Sequence, residues 1–254
     1  MLSFERRKTI CEIIEQHGRA DIAELVKRFG VSAETIRKDL ILLESNGRLR
    51  RVHGGAIPYG GSVPLLDLSQ RIPLCIEQKR ELCRYTCRFI NNGDSIFIDT
   101  GSTTNELADL LAEKFDRLHI ITAYAPFAER LGKVKGFEVI MCGGLYEPKE
   151  KMFYGSIAVD TLRQLHVSKA FICPSAVSIN GGAFCNIYPA LDIMKTAADI
   201  SDTVYLLADS EKLEKSGNFR IFATDRAEAV ITDSSVSDDI CNIYDEHGIR
   251  LIRK

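Results

Sequence analysis

The stretch V-S-A-E-T-I-R-K-D-L-I-L-L, residues 31–43, constrains the fold more than any other. Ile36, Leu40 and Leu43 recur at i, i+4 and i+7, which places them on one buried stripe of a helix. Ser32 is a favourable N-cap, and Val31 before it can pack on Ile36 as a hydrophobic staple, so the start and entry angle of the helix are both specified. Its open face carries Thr35, Arg37 and Lys38, with Glu34 beside them, in the first turns after a tight Gly30-Val31-Ser32 connection.

The preceding segment completes the unit. Asp21 followed by Glu24 has the spacing of a capping box, Leu25, Val26 and Phe29 supply an apolar face, and Gly30 suits a left-handed helix end. Helix, three-residue turn and helix make a helix-turn-helix, whose second helix offers its N-terminal residues to base edges in the major groove. Gly47 follows, then Arg48, Arg50 and Arg51 around Leu49 and Val52, then His53-Gly54-Gly55, the alternation and turn of a small β-wing. A capped helix pair is also an ordinary structural element, and charge separates the two readings. Residues 1–57 hold 11 Lys and Arg against 8 Asp and Glu, whereas 58–254 hold 22 against 27. A basic patch on a chain of net charge −2 is the footprint of a phosphate-binding face. The expected partner is double-stranded operator DNA, contacted by Ser32, Thr35, Arg37 and Lys38 from the helix and by Arg48, Arg50, Arg51 and His53 from the wing.

These residues also carry a resemblance. Arg6-Arg7 with Ile10, then V-S-x-x-T-I-R-K-D-L-x-x-L-E-x-x-G-x-L-x-R-x-H-G-G-A over 31–56, resembles the DeoR family of bacterial transcriptional regulators. The resemblance implies a winged helix-turn-helix head with a sugar-phosphate-sensing domain behind it.

Residues 4–16 form a first helix with Ile10, Ile13 and Ile14 inward, and Arg6 and Arg7 either solvated or on the DNA backbone. Pro58, Gly60, Gly61, Pro64 and Pro73 crowd 57–74 and mark an extended linker, giving a DNA-binding domain at 1–57, a linker at 58–75 and an effector-sensing and oligomerisation domain at 76–254. Beyond Glu77, helical runs (77–90, 103–115, 126–131, 157–165, 190–200, 236–247) alternate with β-rich runs (95–99, 119–122, 137–142, 169–177, 203–208, 229–232, 250–252). Continuous apolar strands such as F-E-V-I-M-C need a sheet covered on both faces, so the second domain is expected to be an α/β sandwich with a mostly parallel sheet.

In such sheets ligands bind beyond the carboxyl ends of strands. In I-F-I-D-T-G-S-T-T-N-E-L (96–107), Asp99 ends a strand, Gly101 permits a tight turn, and Ser102, Thr103 and Thr104 bring hydroxyls and backbone N–H groups to a helix start, a ready anion site. Gly143-Gly144 and Gly155 lie where backbone can approach a ligand, and Lys212 follows another strand. Together they match the DeoR-family effector domain, whose D-[ST]-G-[ST]-T loop, G-G pair and D-x-x-K segment resemble the sites of ribose-5-phosphate isomerase and glucosamine-6-phosphate deaminase folds. The resemblance implies a phosphorylated sugar or sugar-like effector on Asp99, Thr100, Gly101, Ser102, Thr103, Thr104, Gly143, Gly144, Gly155 and Lys212, with 209–218 closing over it. Two stretches depart from the family pattern, Thr122-Ala123-Tyr124 and G-G-A-F-C-N-I-Y-P-A at 181–190, both where the non-phosphate end of the sugar would be read.

An alternative is a sugar-phosphate isomerase or deaminase with a DNA-binding arm, which would need a positioned base. The five histidines lie in the head or at segment ends, which leaves Asp99 and Asp209, and no catalytic residue is assigned. Eight cysteines without C-x-x-C spacing point to buried thiols in a reducing compartment, with no metal and no cofactor. No run approaches 18 apolar residues and the N-terminus lacks a signal-peptide core, so a cytoplasmic protein without membrane contact is expected. Two-fold operators favour a homodimer or homotetramer.

Overall fold

In a computed structural model, which describes residues 3–17, 19–45, 49–52, 54–58 and 66–253, the N-terminal apolar stripes close on one another. Helix α1 (Ser3–His17) contributes Ile10 and Ile14, α2 (Ile22–Phe29) contributes Leu25, and α3 (Ala33–Ser45) contributes Ile36, Leu40 and Leu43. The short strand β1 (Ala20–Asp21) pairs with β3 (Gly55–Pro58), which pairs with β2 (Leu49–Val52), so that Leu49 and Ala56 seal the same core from the wing. Each such buried Leu or Ile adds about 1.5–3 kcal/mol. Gly55 must be glycine here, since a Cβ would lie 2.4 Å from the Ala20 carbonyl oxygen.

The start of α3 is as the sequence specifies: the Thr35 N–H donates to Ser32 Oγ at 3.1 Å, and Val31 packs against the cluster that holds Ile36. Gly30 adopts φ 65° and ends α2 by donating to Val26 O. Asp21 does not form the expected capping box, because its Oδ1 accepts from Arg19 Nε and Nη2 at 3.0 and 2.9 Å instead. Arg6 is neither solvated nor free for DNA: it is buried, and its Nε donates to Asp39 Oδ2 at 2.6 Å, tying α1 to the middle of α3.

This head lies within the first of two units, Met1–Ser62 and Val63–Lys254. The second opens with α4 (Leu68–Arg71) and α5 (Ile76–Thr86) and continues through β4 (Ser95–Ile98), α6 (Ser102–Lys114), β5 (Leu118–Thr122), α7 (Ala125–Leu131) and β6 (Phe137–Met141). A hairpin of β7 (Leu145–Glu147) and β8 (Met152–Tyr154) leads to α8 (Ser156–Arg163), β9 (Val167–Ile172), β10 (Ala176–Ser178), β11 (Gly182–Cys185) and α9 (Tyr188–Asp199). The chain ends with β12 (Ser201–Leu207), β13 (Phe219–Phe222), β14 (Ala229–Ile231), α10 (Asp238–Glu246) and β15 (Leu251–Ile252).

Seven strands form one parallel sheet in the order β15-β14-β12-β9-β4-β5-β6. Strand alternation feeds two cores: Phe97 and Leu206 face one side with Leu162, Ile193 and Tyr244 of α8, α9 and α10, whereas Ile96, Ile98 and Leu207 face the other with Leu82, Leu107 and Phe127 of α5, α6 and α7. The chain runs outward from β4 to β5 and β6, then returns to lay β9 on the other side of β4 and runs the opposite way. Strand order therefore reverses between β4 and β9, and such a reversal opens a crevice beyond the carboxyl ends of the two strands.

Two stretches differ from the expectation, and one hairpin was not foreseen. The run 169–177 is two strands, because the chain leaves the sheet after Ile172 and Ala176 joins a small antiparallel sheet of β10, β11 and β13. The stretch read as linker already belongs in part to the second unit, where α4 buries Leu68. The β7–β8 hairpin, hidden by its short strands, starts at Gly144, where φ is 138° and a Cβ would meet the Tyr154 carbonyl oxygen at 2.5 Å.

Candidate effector site and nucleic-acid interface

On the head, Ser32, Arg37 and Lys38 are exposed and Thr35 half-buried at the start of α3. Arg37 Nη1 lies 3.5 Å from Glu34 Oε2, a surface pair of small worth that a phosphate or base can displace. Arg51 is exposed on the wing but tied to Glu44, which accepts from its backbone N–H at 2.8 Å and its Nε at 2.6 Å. Arg48, His53 and the side chain of Arg50 lie outside the described residues.

In the second unit, the 99–104 loop spans the reversal point. Asp99 closes β4 and turns inward: its Oδ1 accepts from the Thr100 N–H at 2.7 Å and its Oδ2 from the Cys173 N–H, just past β9, at 3.0 Å. Burial pushes its carboxyl up to about 7 against the pull of those bonds. Asp99 therefore fixes the loop across the crevice. Thr104 Oγ1 donates to Gly101 O at 3.0 Å, and the Thr100 hydroxyl rests on the Met152 sulfur at 3.7 Å. Thr103 differs: its Oγ1 is buried and has no hydrogen-bond partner among the described residues. It stands in the first turn of α6, beside backbone N–H groups that no preceding turn satisfies.

Three cations converge here. Lys212 Nζ is 3.5 Å from Asp209 Oδ2, and both Lys212 and Arg71 act electrostatically on Asp99 and Cys173. Lys79 is buried on α5, where its Nζ donates to the carbonyl oxygens of Arg71 at 2.5 Å and Leu74 at 2.6 Å. Burial first, and Lys212 second, lower its ammonium to about 8. Arg71 pairs with Glu150, while its Nε is buried without a partner among the described residues. An orphaned hydroxyl, an orphaned guanidinium N–H and a helix N-terminus at one crevice are the donor set an anion needs.

Gly143 follows β6, Gly144 opens the β7–β8 hairpin, whose Met152 touches Thr100, and Gly155 opens α8. The 209–218 segment is already seated and is not an open lid, with Leu213 and Glu214 buried and Ser210 donating from N and Oγ to Asp233 at 2.7 and 3.0 Å. Sequence reasoning missed Arg71 and Lys79. Arg71 was hidden in the Pro/Gly-bearing stretch. Lys79 had a visible signal: it falls at i+3 from Ile76 and i−3 from Leu82, a lysine on the apolar stripe of its helix. The eight cysteines are all free thiols, and no metal-binding cluster of His, Cys, Asp or Glu occurs among the described residues. Nor, among those residues, is any helix long and apolar enough to cross a membrane.

A winged helix-turn-helix joined to a parallel α/β unit with a donor-lined crevice defines a DNA-binding protein with a separate sensing part. Residues 6–58 match the family described as DeoR-like helix-turn-helix domain, and residues 74–234 match the DeoR C terminal sensor domain. The chain belongs to the DeoR family of transcriptional regulators, and it is a regulator and not an enzyme. The glycerol-3-phosphate regulon repressor of Escherichia coli (strain K12) is 27% identical over 99% of both chains. The lactose phosphotransferase system repressor of Lactococcus lactis subsp. lactis is 29% identical over 91% of each, and the transcriptional repressor GlcR of Bacillus subtilis (strain 168) is 26% identical over 99% of this chain and 96% of that one. Among solved structures, ribose 5 phosphate isomerase A from Neisseria gonorrhoeae superposes at TM-score 0.40 and 17% identity, over 53% of this chain and 52% of that one. Neither strand-end aspartate is presented as a free base, since Asp99 is held by two backbone N–H groups and Asp209 is paired with Lys212.

Proposed function

We propose that this regulator is a cytoplasmic repressor of carbohydrate genes whose hold on operator DNA is set by a phosphorylated sugar in the crevice between β4 and β9. The observation that carries the reading is the meeting, at one topological reversal, of the α6 N-terminus, the unpartnered Thr103 hydroxyl and the cations Arg71, Lys79 and Lys212. A phosphate carries nearly two negative charges, and the loop alone offers only neutral donors. The names of the relatives, repressors of a glycerol-3-phosphate regulon and a lactose phosphotransferase system, support a phosphorylated carbohydrate as the class of effector.

In this reading residues 1–57 bind DNA through Ser32, Thr35, Arg37 and Lys38 of α3 and through Arg48, Arg50, Arg51 and His53 of the wing. The second unit, from Val63 onward and with Arg71 of α4 included, senses the effector and assembles a homodimer or homotetramer. Gly143, Gly144 and Gly155 let backbone approach the sugar, and Asp99 keeps the phosphate loop in place. A thermal-shift screen of phosphorylated sugars tests the reading, because a ligand at a hundred times its Kd adds about 2.7 kcal/mol of stability. Thr103→Glu puts a competing charge at the site and is expected to abolish the shift while leaving operator binding intact; an equal shift in that variant would reject the site.

A further inference from the structure

Glu150 has no part in the phosphate reading, yet it is a buried carboxylate aimed at that site's arginine. It lies in the turn between β7 and β8 and pairs with the guanidinium of Arg71, 79 residues away in the chain. Burial pushes its carboxyl upward while Arg71 draws it down. A carboxylate taken out of water in this way is tolerable only while paired. The same guanidinium acts on Asp99, Lys79 and Cys173 at the crevice, and its Nε has no partner among the described residues. Arg71 thus serves a fixed anion on one side and the crevice on the other. It is also the last residue of α4, the first described helix of the second unit, which is held by buried Leu68, the Lys149–Asp67 pair at 3.6 Å, and the Lys79 bond to the Arg71 carbonyl.

We propose that Glu150 is an internal counter-anion that sets the effector affinity: it holds Arg71 while the crevice is empty, and a bound phosphate takes Arg71 from it, loosening α4. The proposal rests on the reading of the crevice as a phosphate site. Two anions that share one cation oppose each other, so neutralising the fixed one strengthens the mobile one. Because α4 leads back along the chain toward the DNA-binding unit, the exchange of partners at Arg71 gives occupancy a route to the head.

Inorganic phosphate, titrated at constant ionic strength into the full chain, is the probe. Binding is read from the melting of the second unit, and the state of α4 from hydrogen exchange of the Gln70, Arg71, Ile72 and Leu74 amides, all bonded within 67–71. Glu150→Gln keeps the shape and an acceptor for Arg71, and is expected to bind phosphate at least about fivefold tighter, the low end of ordinary couplings. In the wild type phosphate should speed exchange at those amides; in Glu150→Gln they should exchange fast already and respond no further. Unchanged or weaker binding in Glu150→Gln, or α4 amides indifferent to phosphate bound by the wild type, would overturn the proposal and leave the crevice reading standing. A wild type that binds no phosphate brings both down. If Glu150→Gln does not fold, Glu150→Asp, which shortens the reach and breaks the pair, takes the same test with the same expected exchange behaviour.

Discussion

The two proposed binding regions are both helix N-termini that follow a tight connection, yet they are finished in opposite ways. At the start of α3, Ser32 caps Thr35, the two hydroxyls meet at 2.9 Å, and the side chains beyond are exposed. At the start of α6, Thr100 to Thr104 are buried, Thr103 Oγ1 is left without a partner among the described residues, and charged groups crowd in. A satisfied and exposed helix end suits a macromolecule, whose own groove supplies the enclosure. A buried and unsatisfied one suits a small anion, which must itself complete the hydrogen bonding.

Breaking the head from within gives the largest expected effect. Arg6→Ala leaves Asp39 buried without its cation, and removing one partner of a buried pair costs about 3–5 kcal/mol. Calorimetry should show the transition of the N-terminal unit falling while that of the second unit stays; loss of both would mean the units are not independent in stability.

Next comes the exposed surface of α3. Arg37→Ala should lose about 1–3 kcal/mol at its own base position only, whereas Arg50→Ala should weaken binding to all sequences and flatten the salt dependence by about one ion. Operator affinity untouched by Arg37→Ala, Lys38→Ala and the wing substitutions together would remove the docking proposal.

At the α6 crevice, pH is the probe. Lys79 must be protonated to hold an anion, and its free ammonium titrates near 8. Affinity for a phosphorylated effector should therefore be level from about pH 7 to 8, where the phosphate is a dianion, and fall as pH rises further, by up to about tenfold per unit. Lys79→Met should abolish the dependence along with most of the binding. A flat profile from pH 7 to 10 in the wild type would take Lys79 out of the site.

The smallest effects sharpen the contrast most. Ser32→Ala loses a made cap and should cost about 1 kcal/mol. Thr103→Val removes a hydroxyl with no partner among the described residues, so stability should stay within about 0.5 kcal/mol of wild type while effector affinity drops. Equal destabilisation by the two substitutions would erase the distinction between the helix ends.

How far the sequence disclosed these regions follows the same division. The head was legible almost residue by residue because its signals are local: a cap, a staple, an i, i+4, i+7 stripe and a left-handed glycine all lie within a few positions of what they govern. Even there, the Arg6–Asp39 pair joins residues 33 apart and leaves no periodic trace. The second unit showed its alternation of strands and helices and its D-T-G-S-T loop. What stayed hidden was the set of charges around that loop, since Arg71 and Lys79 on α4 and α5 meet Asp99 and Lys212 at strand ends only through tertiary packing. Asp99 was visible as a strand end, but its inward turn toward Cys173 depends on β9 lying beside β4, which no local pattern encodes.

A phosphorylated sugar held by the 99–104 loop and Lys212 should change the affinity of the head for its operator. Couplings of this kind are typically 1–3 kcal/mol, and linkage requires operator DNA to change effector affinity by the same factor. The direct measurement is a titration of operator binding with a phosphorylated sugar and with the corresponding free sugar, in the wild type and in Lys212→Ala. The wild type should respond to the phosphate ester and little or not at all to the free sugar, and Lys212→Ala should bind the operator normally but no longer respond, as a charge clamp at Lys212 requires. An undiminished response in Lys212→Ala, or equal potency of the free sugar, would contradict it.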